Sequence, residues 1–300
     1  NTVQDTTQWQ WDTDQIRLQN ITDNVVDLMT QKLADLPDET TEALQLAACW
    51  GSQFSLLSLA LVTQQPEAEV LQRLMPAIQL GFLLPLDNRY KLLLEGDRPL
   101  GVEFRFQHDR VQQAAFALIP EGQSAQLHFQ IGRSLWKSEK ADDNLFERVN
   151  HLNLGAAFIT HDPELSQLVA LNLRAGQQAL TENAYEAAKA YFDTGLRQLA
   201  NLDLDGDALD LPLLLGSAKA ACSLGQWEPM AERIEQVVAV SRSVLDAIPA
   251  YELQIEAAHA KNQLSDGIEI TLSTLTALGF EFPSHTEPEV IGEALTSTAQ

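Results

Sequence analysis

Gln107-His108-Asp109 is the stretch of this sequence best equipped for chemistry. It lies where an alternating segment, Val102-Glu103-Phe104-Arg105-Phe106, gives way to a helical one, Asp109–Ile119. An imidazole beside the free N–H groups of a helix N-terminus makes a site for an anion such as phosphate. Asp109 at the same place is expected to cap the helix and to orient the ring. A plainer reading fits the same residues: a structural His108 and a capping Asp109, with no ligand. A His-Asp pair also occurs in metal-dependent phosphohydrolases. That chemistry needs further His and Asp ligands on neighbouring helices, and His128, His151 and His161 carry no such carboxylate pattern, so no metal site is expected. Arg105, Arg110 and Arg133 form a local basic group. They can pair with phosphates, with another domain's acidic surface, or with carboxylates of the same chain.

The other reactive side chains lack partners in the sequence. His151, His161, His259 and His285 have no nucleophile or second ligand at helical spacing and read as packing or surface residues. Cys49 and Cys222 sit in apolar helical context, far apart, and read as buried and inert. There is no G-x-x-x-x-G-K-[ST] phosphate cradle and no V-A-I-K, H-R-D or D-F-G of a protein kinase. Neither ATP hydrolysis nor phosphate transfer is therefore expected of these residues.

Charge excludes more. Lys and Arg total 19 against 42 Asp and Glu, a formal net charge of −23 over 300 residues. Nucleic acid and anionic membrane surfaces need basic side chains to neutralise phosphate, so neither is an expected partner. A hydrophobic fraction of 45% is enough for real cores. The longest apolar runs, such as Pro76–Leu86, are about half the ~20 residues of a spanning helix. No signal peptide is visible, and two cysteines fit a reducing, cytoplasmic setting. The chain opens on Asn1 and stops in a polar stretch, Thr296–Gln300, and is expected to be a piece of a longer protein.

Three stretches must position these residues. Residues 1–20, polar with Trp9 and Trp11, read as an arm or linker. Residues 21–120 read as a winged-helix-like domain. Thr22 is its first N-cap, and Val25, Val26, Leu28, Met29 and Leu33 recur at helical spacing; Pro37-Asp38 breaks and restarts the pattern, Leu44, Leu46, Ala47 and Ala48 mark a second helix ending near Gly51, and Phe54–Val62 and Glu67–Ile78 are two more. A small β-hairpin is expected from Phe82–Leu86 and Tyr90–Leu94 about a turn at Asp87-Asn88, with Phe104 and Phe106 on a further alternating strand. Residues 121–300 read as helical hairpins. Gly176, Ala188, Phe192 and Gly195 reappear 42 residues on as Ala218, Met230, Ile234 and Val237, and more weakly as Ala258, Ile270, Thr274 and Ala277. The turns are expected at Glu182-Asn183, Gly225-Gln226 and Asp266-Gly267. Small residues bring paired helices together and large ones fill the next seam, as in a tetratricopeptide-like α-solenoid. His128–Trp136 and Leu145–Phe158 read as an earlier pair joined by acidic Glu139–Asn144. The fold class is thus mainly α.

Several segments, in order, resemble one family: Trp9-Gln10-Trp11; Thr22-Asp23-Asn24-Val25-Val26-Asp27-Leu28-Met29; Phe104 to Phe116; His128-Phe129-Gln130-Ile131-Gly132-Arg133; and Leu278-Gly279-Phe280-Glu281-Phe282-Pro283-Ser284. They resemble the middle of very large bacterial signalling kinases, common in cyanobacteria. Those proteins join a serine/threonine kinase, an AAA-like signal-transduction ATPase, a helical repeat arm, a GAF sensor and often a histidine kinase. Phe104–Phe116 is the most specific part. The resemblance implies that residues 21–120 follow a nucleotide-binding core and that 121–300 lead to a sensor. In related ATPases a Met-His-Asp motif stands at this point, and its His reaches the β-phosphate of ADP in a closed, inactive form. Here Gln107 replaces the Met, and His108 and Asp109 match the rest. The implied function is a non-catalytic regulatory and interaction segment. Its partner is a protein or a neighbouring domain, it holds no cofactor of its own, and ATP/ADP with magnesium belong to the parent. A stand-alone helical adaptor and a fragment of a transcription regulator of the same ATPase class are the alternatives.

Overall fold

The computed structural model describes residues 21–96, 101–136, 145–202 and 209–280. Trp9, Trp11, the Glu139–Asn144 connection, His285 and the end of the Leu278–Ser284 motif lie outside them. The described residues are mainly helical, with one three-stranded sheet. The chain forms two compact units, Asn1–Phe158 and Ile159–Gln300.

The first unit starts with α1 (Ile21–Ala34) and α2 (Asp38–Ala48), then β1 (Gln53–Ser55), α3 (Leu56–Thr63) and α4 (Glu67–Gln79). After β2 (Leu83–Pro85) come α5 (Arg89–Leu94), β3 (Glu103–Phe106) and α6 (Asp109–Ala117). The sheet order is β1-β3-β2, both pairs antiparallel, with Phe54 opposite Phe104 and Leu83 opposite Phe106. Period two sends Phe104 and Phe106 into the core and Arg105 to solvent, as the alternation predicts. Phe54 packs on both phenylalanines, at 6.0 and 5.8 Å between ring centroids. Fully burying a ring such as Phe104 stabilises the unit by about 1.5–3 kcal/mol.

Three local expectations are corrected. Tyr90–Leu94 is helix rather than the second arm of a hairpin. Asp87 accepts from the Arg89 backbone N–H at 2.8 Å and pairs with its guanidinium, which turns the chain into α5, while both edges of β3 are already taken by β1 and β2. Phe54 belongs to β1, so the third helix starts at Leu56. Thr22 lies within α1, which is already helical at Ile21, and so is not the N-cap.

Two further helices, α7 (Ser124–Trp136) and α8 (Leu145–Leu154), are followed by a 3-10 turn at Ala156–Phe158. The sequence reading put a boundary at residue 120, whereas the compact unit runs to Phe158. Trp50, just after α2, and Phe116 of α6 lie against His151 and His128 and tie the α7–α8 pair to this unit.

Among its described residues the second unit has three helical hairpins: α9 (Asp162–Thr181) with α10 (Tyr185–Leu199), α11 (Asp210–Ser223) with α12 (Trp227–Val240), and α13 (Val244–Ala260) with α14 (Leu264–Ala277). Each first helix ends in the same way. Asn183, Gly225 and Asn262 take left-handed φ of 60°, 68° and 60°, and the next residue's N–H reaches back to Ala179, Ala221 and Ala258 at 2.8–2.9 Å. That six-to-one bond with a left-handed residue is a Schellman stop. The first two turns fall where expected. The third does not: it is Lys261–Gln263, and Asp266-Gly267 lie inside α14. The third copy is offset from the second by 37 residues, so buried Gly267 takes the place of Ala188 and Met230. The expected set Ala258, Ile270, Thr274 and Ala277 is out of register because no Gly marks this turn; Asn262 adopts the left-handed conformation instead.

Between hairpins, Asp193 of α10 accepts from Ser217 Oγ of α11 at 2.7 Å and from Arg233 of α12 at 3.1 Å, with Lys189 Nζ at 2.8 Å. Burial alone would raise its pKa, but bonds from Lys189 and Ser217 and the charges of Lys189 and Arg233 leave it lowered. Asp193→Ala is expected to destabilise this unit by about 1–2 kcal/mol, since one bridging acceptor is lost while the cations stay partly solvated. Urea unfolding of the variant against the wild type checks this.

Candidate functional site

The junction singled out by the sequence is built by β3 and α6. Phe106 and Gln107 donate their N–H groups to Ser52 O and Phe82 O, both at 2.9 Å, which fixes the end of β3 beside its neighbours. His108 then leaves the strand in extended conformation, φ −151° and ψ 150°, and is itself the N-cap of α6. Its Nδ1 accepts the Arg110 N–H at 3.3 Å, and its carbonyl accepts from Val111 at 2.8 Å. The capping role expected of Asp109 therefore belongs to His108. Asp109 is one residue too late: it is the first helical residue, where its carboxylate stands in the first turn and favours the helix dipole. Because Nδ1 accepts, a neutral His108 carries its proton on Nε2, leaving that nitrogen as the donor.

His108 is exposed and borders a cleft of about 860 Å³. Lys32 and Arg110 add positive charge, Asp35 adds one carboxylate, and Met29 and Phe82 supply apolar wall. Of the three arginines grouped by sequence, only Arg110 lines this cleft. Arg110 also bonds Gln113 at 2.8 Å, Arg105 is exposed on β3, and Arg133 stacks over the Phe129 ring at 5.4 Å. Two cations and an imidazole donor on one cleft suit a phosphate-sized anion.

A second constellation escaped the sequence reading. His128 of α7 and His151 of α8 are both buried, with their Nδ1 atoms 2.8 Å apart. Two neutral rings hold this contact when one Nδ1 carries the proton and the other accepts it. Burial pushes both imidazoles below their usual pKa, His151 to about 4, where the charge of His128 adds to the effect. The Trp50 ring lies 5.5 Å from His151, and its indole N–H donates to Glu147 one turn earlier on α8. Trp50, Glu147 and His151 line a cleft of about 1040 Å³ that also takes in Arg89, Glu103 and Asn150. The two histidines are 23 positions apart, so helical spacing cannot reveal the pair. A visible signal was that His128 lies on its helix's apolar stripe with Ile131 and Leu135.

The remaining groups stand apart. His161 occupies the N-cap position of α9 without a side-chain capping bond, and His259 is exposed in the last turn of α13. Cys49 and Cys222 are half-buried, and burial raises both thiols, Cys49 to about 11, which keeps them protonated. Among the described residues no three His, Cys, Asp or Glu side chains gather as metal ligands, and no helix is long and apolar enough to cross a membrane.

No protein-family profile matches the chain, and no solved structure matches it. The chain is similar to Hybrid signal transduction histidine kinase G of Dictyostelium discoideum, 27% identical over 248 residues. The alignment covers 69% of this chain, which spans 7% of the relative's length.

Proposed function

We propose that this chain is a non-catalytic regulatory and protein-interaction segment of a multi-domain signal-transduction ATPase and kinase. The winged-helix-like part of the first unit responds to nucleotide held by an ATPase core elsewhere in the same protein, with ATP/ADP and magnesium bound there. The tetratricopeptide-like hairpins of the second unit present helix faces to a protein partner or to neighbouring sensor and kinase modules in the cytoplasm. The observation that carries this reading is His108: an imidazole at the start of α6, on a cleft shared with Lys32 and Arg110. The similarity to a hybrid histidine kinase supports the signalling context.

The isolated chain is expected neither to turn over ATP nor to hold ADP tightly, since one imidazole and one helix end make few phosphate contacts. Turnover that copurifies with the 300-residue species overturns the non-catalytic assignment. In the full protein, His108→Asn keeps a side chain suited to capping α6 but removes the imidazole. Loss of one charge-assisted hydrogen bond costs about 1.5–3 kcal/mol, which speeds ADP release and shifts the closed–open balance about 10- to 150-fold. His108→Asn and His108→Ala are compared with wild type by ADP off-rate and kinase output. Unchanged values reduce His108 to a helix cap.

A further inference from the structure

Within the first unit, the cleft of about 1040 Å³ beside Trp50 is a trough between two helices. Leu57 and Leu61, one turn apart on α3, line one wall and point away from buried Leu56, Leu59 and Ala60. Glu147, Asn150, His151 and Leu154 line the other from α8, at the spacing that keeps them on one helix face. Leu135 of α7 and Phe54 of β1 also line the trough, and both are buried, so its base is apolar. Glu103 stands opposite Ser55, the residue before α3. Each wall therefore runs from a carboxylate to a leucine: Glu103 to Leu57 and Leu61 on one, Glu147 to Leu154 on the other.

Exposure, charge and shape together say what such a trough suits. Leu57, Leu61 and Leu154 are 43%, 41% and 59% exposed beside a buried base. Covering them removes apolar surface from water, which favours an apolar partner face. Among the described lining residues, Glu103 and Glu147 stand against one cation, Arg89, whose guanidinium is paired with Asp87. His151, with its pKa held down to about 4 by burial, adds no charge at neutral pH. The lining is thus acidic, in a chain of net charge −23, which selects a cationic partner over an anionic one. Both carboxylates are already held in place: the Trp50 indole N–H donates to Glu147, and the Gln53 amide donates to Glu103 at 3.0 Å. Acceptors fixed beforehand lose little freedom on binding. Two helix walls over an apolar base have the form of a groove that takes a third, amphipathic helix.

We propose that this trough binds a basic amphipathic helix of a protein partner, its apolar face on Leu57, Leu61 and Leu154 and its Lys or Arg side chains on Glu103 and Glu147. The inference stands apart from the reading of His108, which borders a different cleft. The probe is a synthetic helical peptide with leucines on one face and lysines on the other, added to the full chain. A scrambled peptide of the same composition and a counterpart with Glu in place of Lys are the controls. The Trp50 indole N–H, identified by its loss in Trp50→Phe, reports occupancy by heteronuclear NMR. The basic helix is expected to shift this signal and to bind about tenfold more tightly than the scrambled peptide. Glu103→Gln combined with Glu147→Gln is expected to weaken binding about tenfold, while the amide oxygen at 147 still accepts from Trp50. Leu61→Asp should weaken it at least as much, and Leu61 is exposed enough that the fold tolerates the change. The proposal is overturned if the scrambled or acidic peptide binds equally well, or if the Trp50 signal does not move. It is also overturned if the two Glu→Gln changes leave affinity unaltered, since the attraction would then belong to the overall charge. A full chain that sediments as a dimer and returns to monomer with Leu61→Asp would overturn it too, by assigning the trough to a second copy.

Discussion

Gly176→Leu lowers the stability of the second unit by about 1–3 kcal/mol or more and leaves the first unit unchanged. A Cβ on Gly176 would stand 2.6–2.8 Å from three atoms of the Phe192 ring, where carbon contacts favour about 3.5–4 Å. The ring cannot retreat, because a Cβ on Gly216 of α11 would meet the same ring at 2.5 Å from the other hairpin. Phe192 thus occupies the seam where α9, α10 and α11 approach through two glycines, and it is fully buried. Leu is a better helix former than Gly by somewhat under ~1 kcal/mol, which opposes the clash but does not cancel it. Gly176→Ala keeps the Cβ conflict without the branched end and should cost less than Leu. Thermal unfolding read by hydrogen exchange in each unit separately makes the comparison. At about 4 °C per kcal/mol for a unit of this size, the shift is easily measured. Equal loss in both units, or none in either, refutes the assigned seam.

Acid weakens the first unit through the buried histidine pair. An unfolded His titrates near 6.5, while His151 in the fold is held down to about 4. Between these values the unfolded chain binds the proton that the folded chain refuses, so stability is whole above about pH 6.5 and falls as the pH drops toward 4. Below the folded pKa this contribution stops changing. From pH 7 to pH 5 the loss traceable to His151 is on the order of 2 kcal/mol. His128 is shifted in the same direction by burial and adds to it. The physical cause is first that a charged imidazole here is held away from water, and second, for His151, that a charged His128 would face it across a 2.8 Å contact. His151→Gln keeps a donor and an acceptor beside His128 and removes the titration. It should be less stable at pH 7 by about 1 kcal/mol, yet lose much less between pH 7 and pH 5. Denaturant unfolding at both pH values, with the ring-proton shifts of His151 followed by NMR, tests the pair. Equal pH dependence in wild type and variant, or a His151 that charges near pH 6.5 in the folded protein, refutes it.

Much of the architecture was already legible in the one-dimensional pattern. The 3.6-residue recurrence marked most of the helices. The alternation at 102–106 marked β3, and the 42-residue recurrence of Gly176, Ala188, Phe192 and Gly195 marked the first two hairpins and their close seams. These are local signals: a residue's neighbours within about two turns decide which face it shares, so the sequence alone determines them. Gly225 and the three junction residues Gln107-His108-Asp109 were legible for the same reason. What tertiary structure decided is whatever depends on distant partners. Tyr90–Leu94 reads as strand or helix until β1 and β2 occupy both edges of β3. The cap of α6 passes from Asp109 to His108 because the end of β3, pinned to Ser52 and Phe82, sets where helical geometry begins. The third hairpin moves by a few positions because Asn262, chemically inconspicuous among polar neighbours, adopts the left-handed turn. His128 and His151 meet only because α7 and α8 pack face to face. Placing two imidazoles within 2.8 Å and away from water is a property of that packing, and no spacing along the chain encodes it.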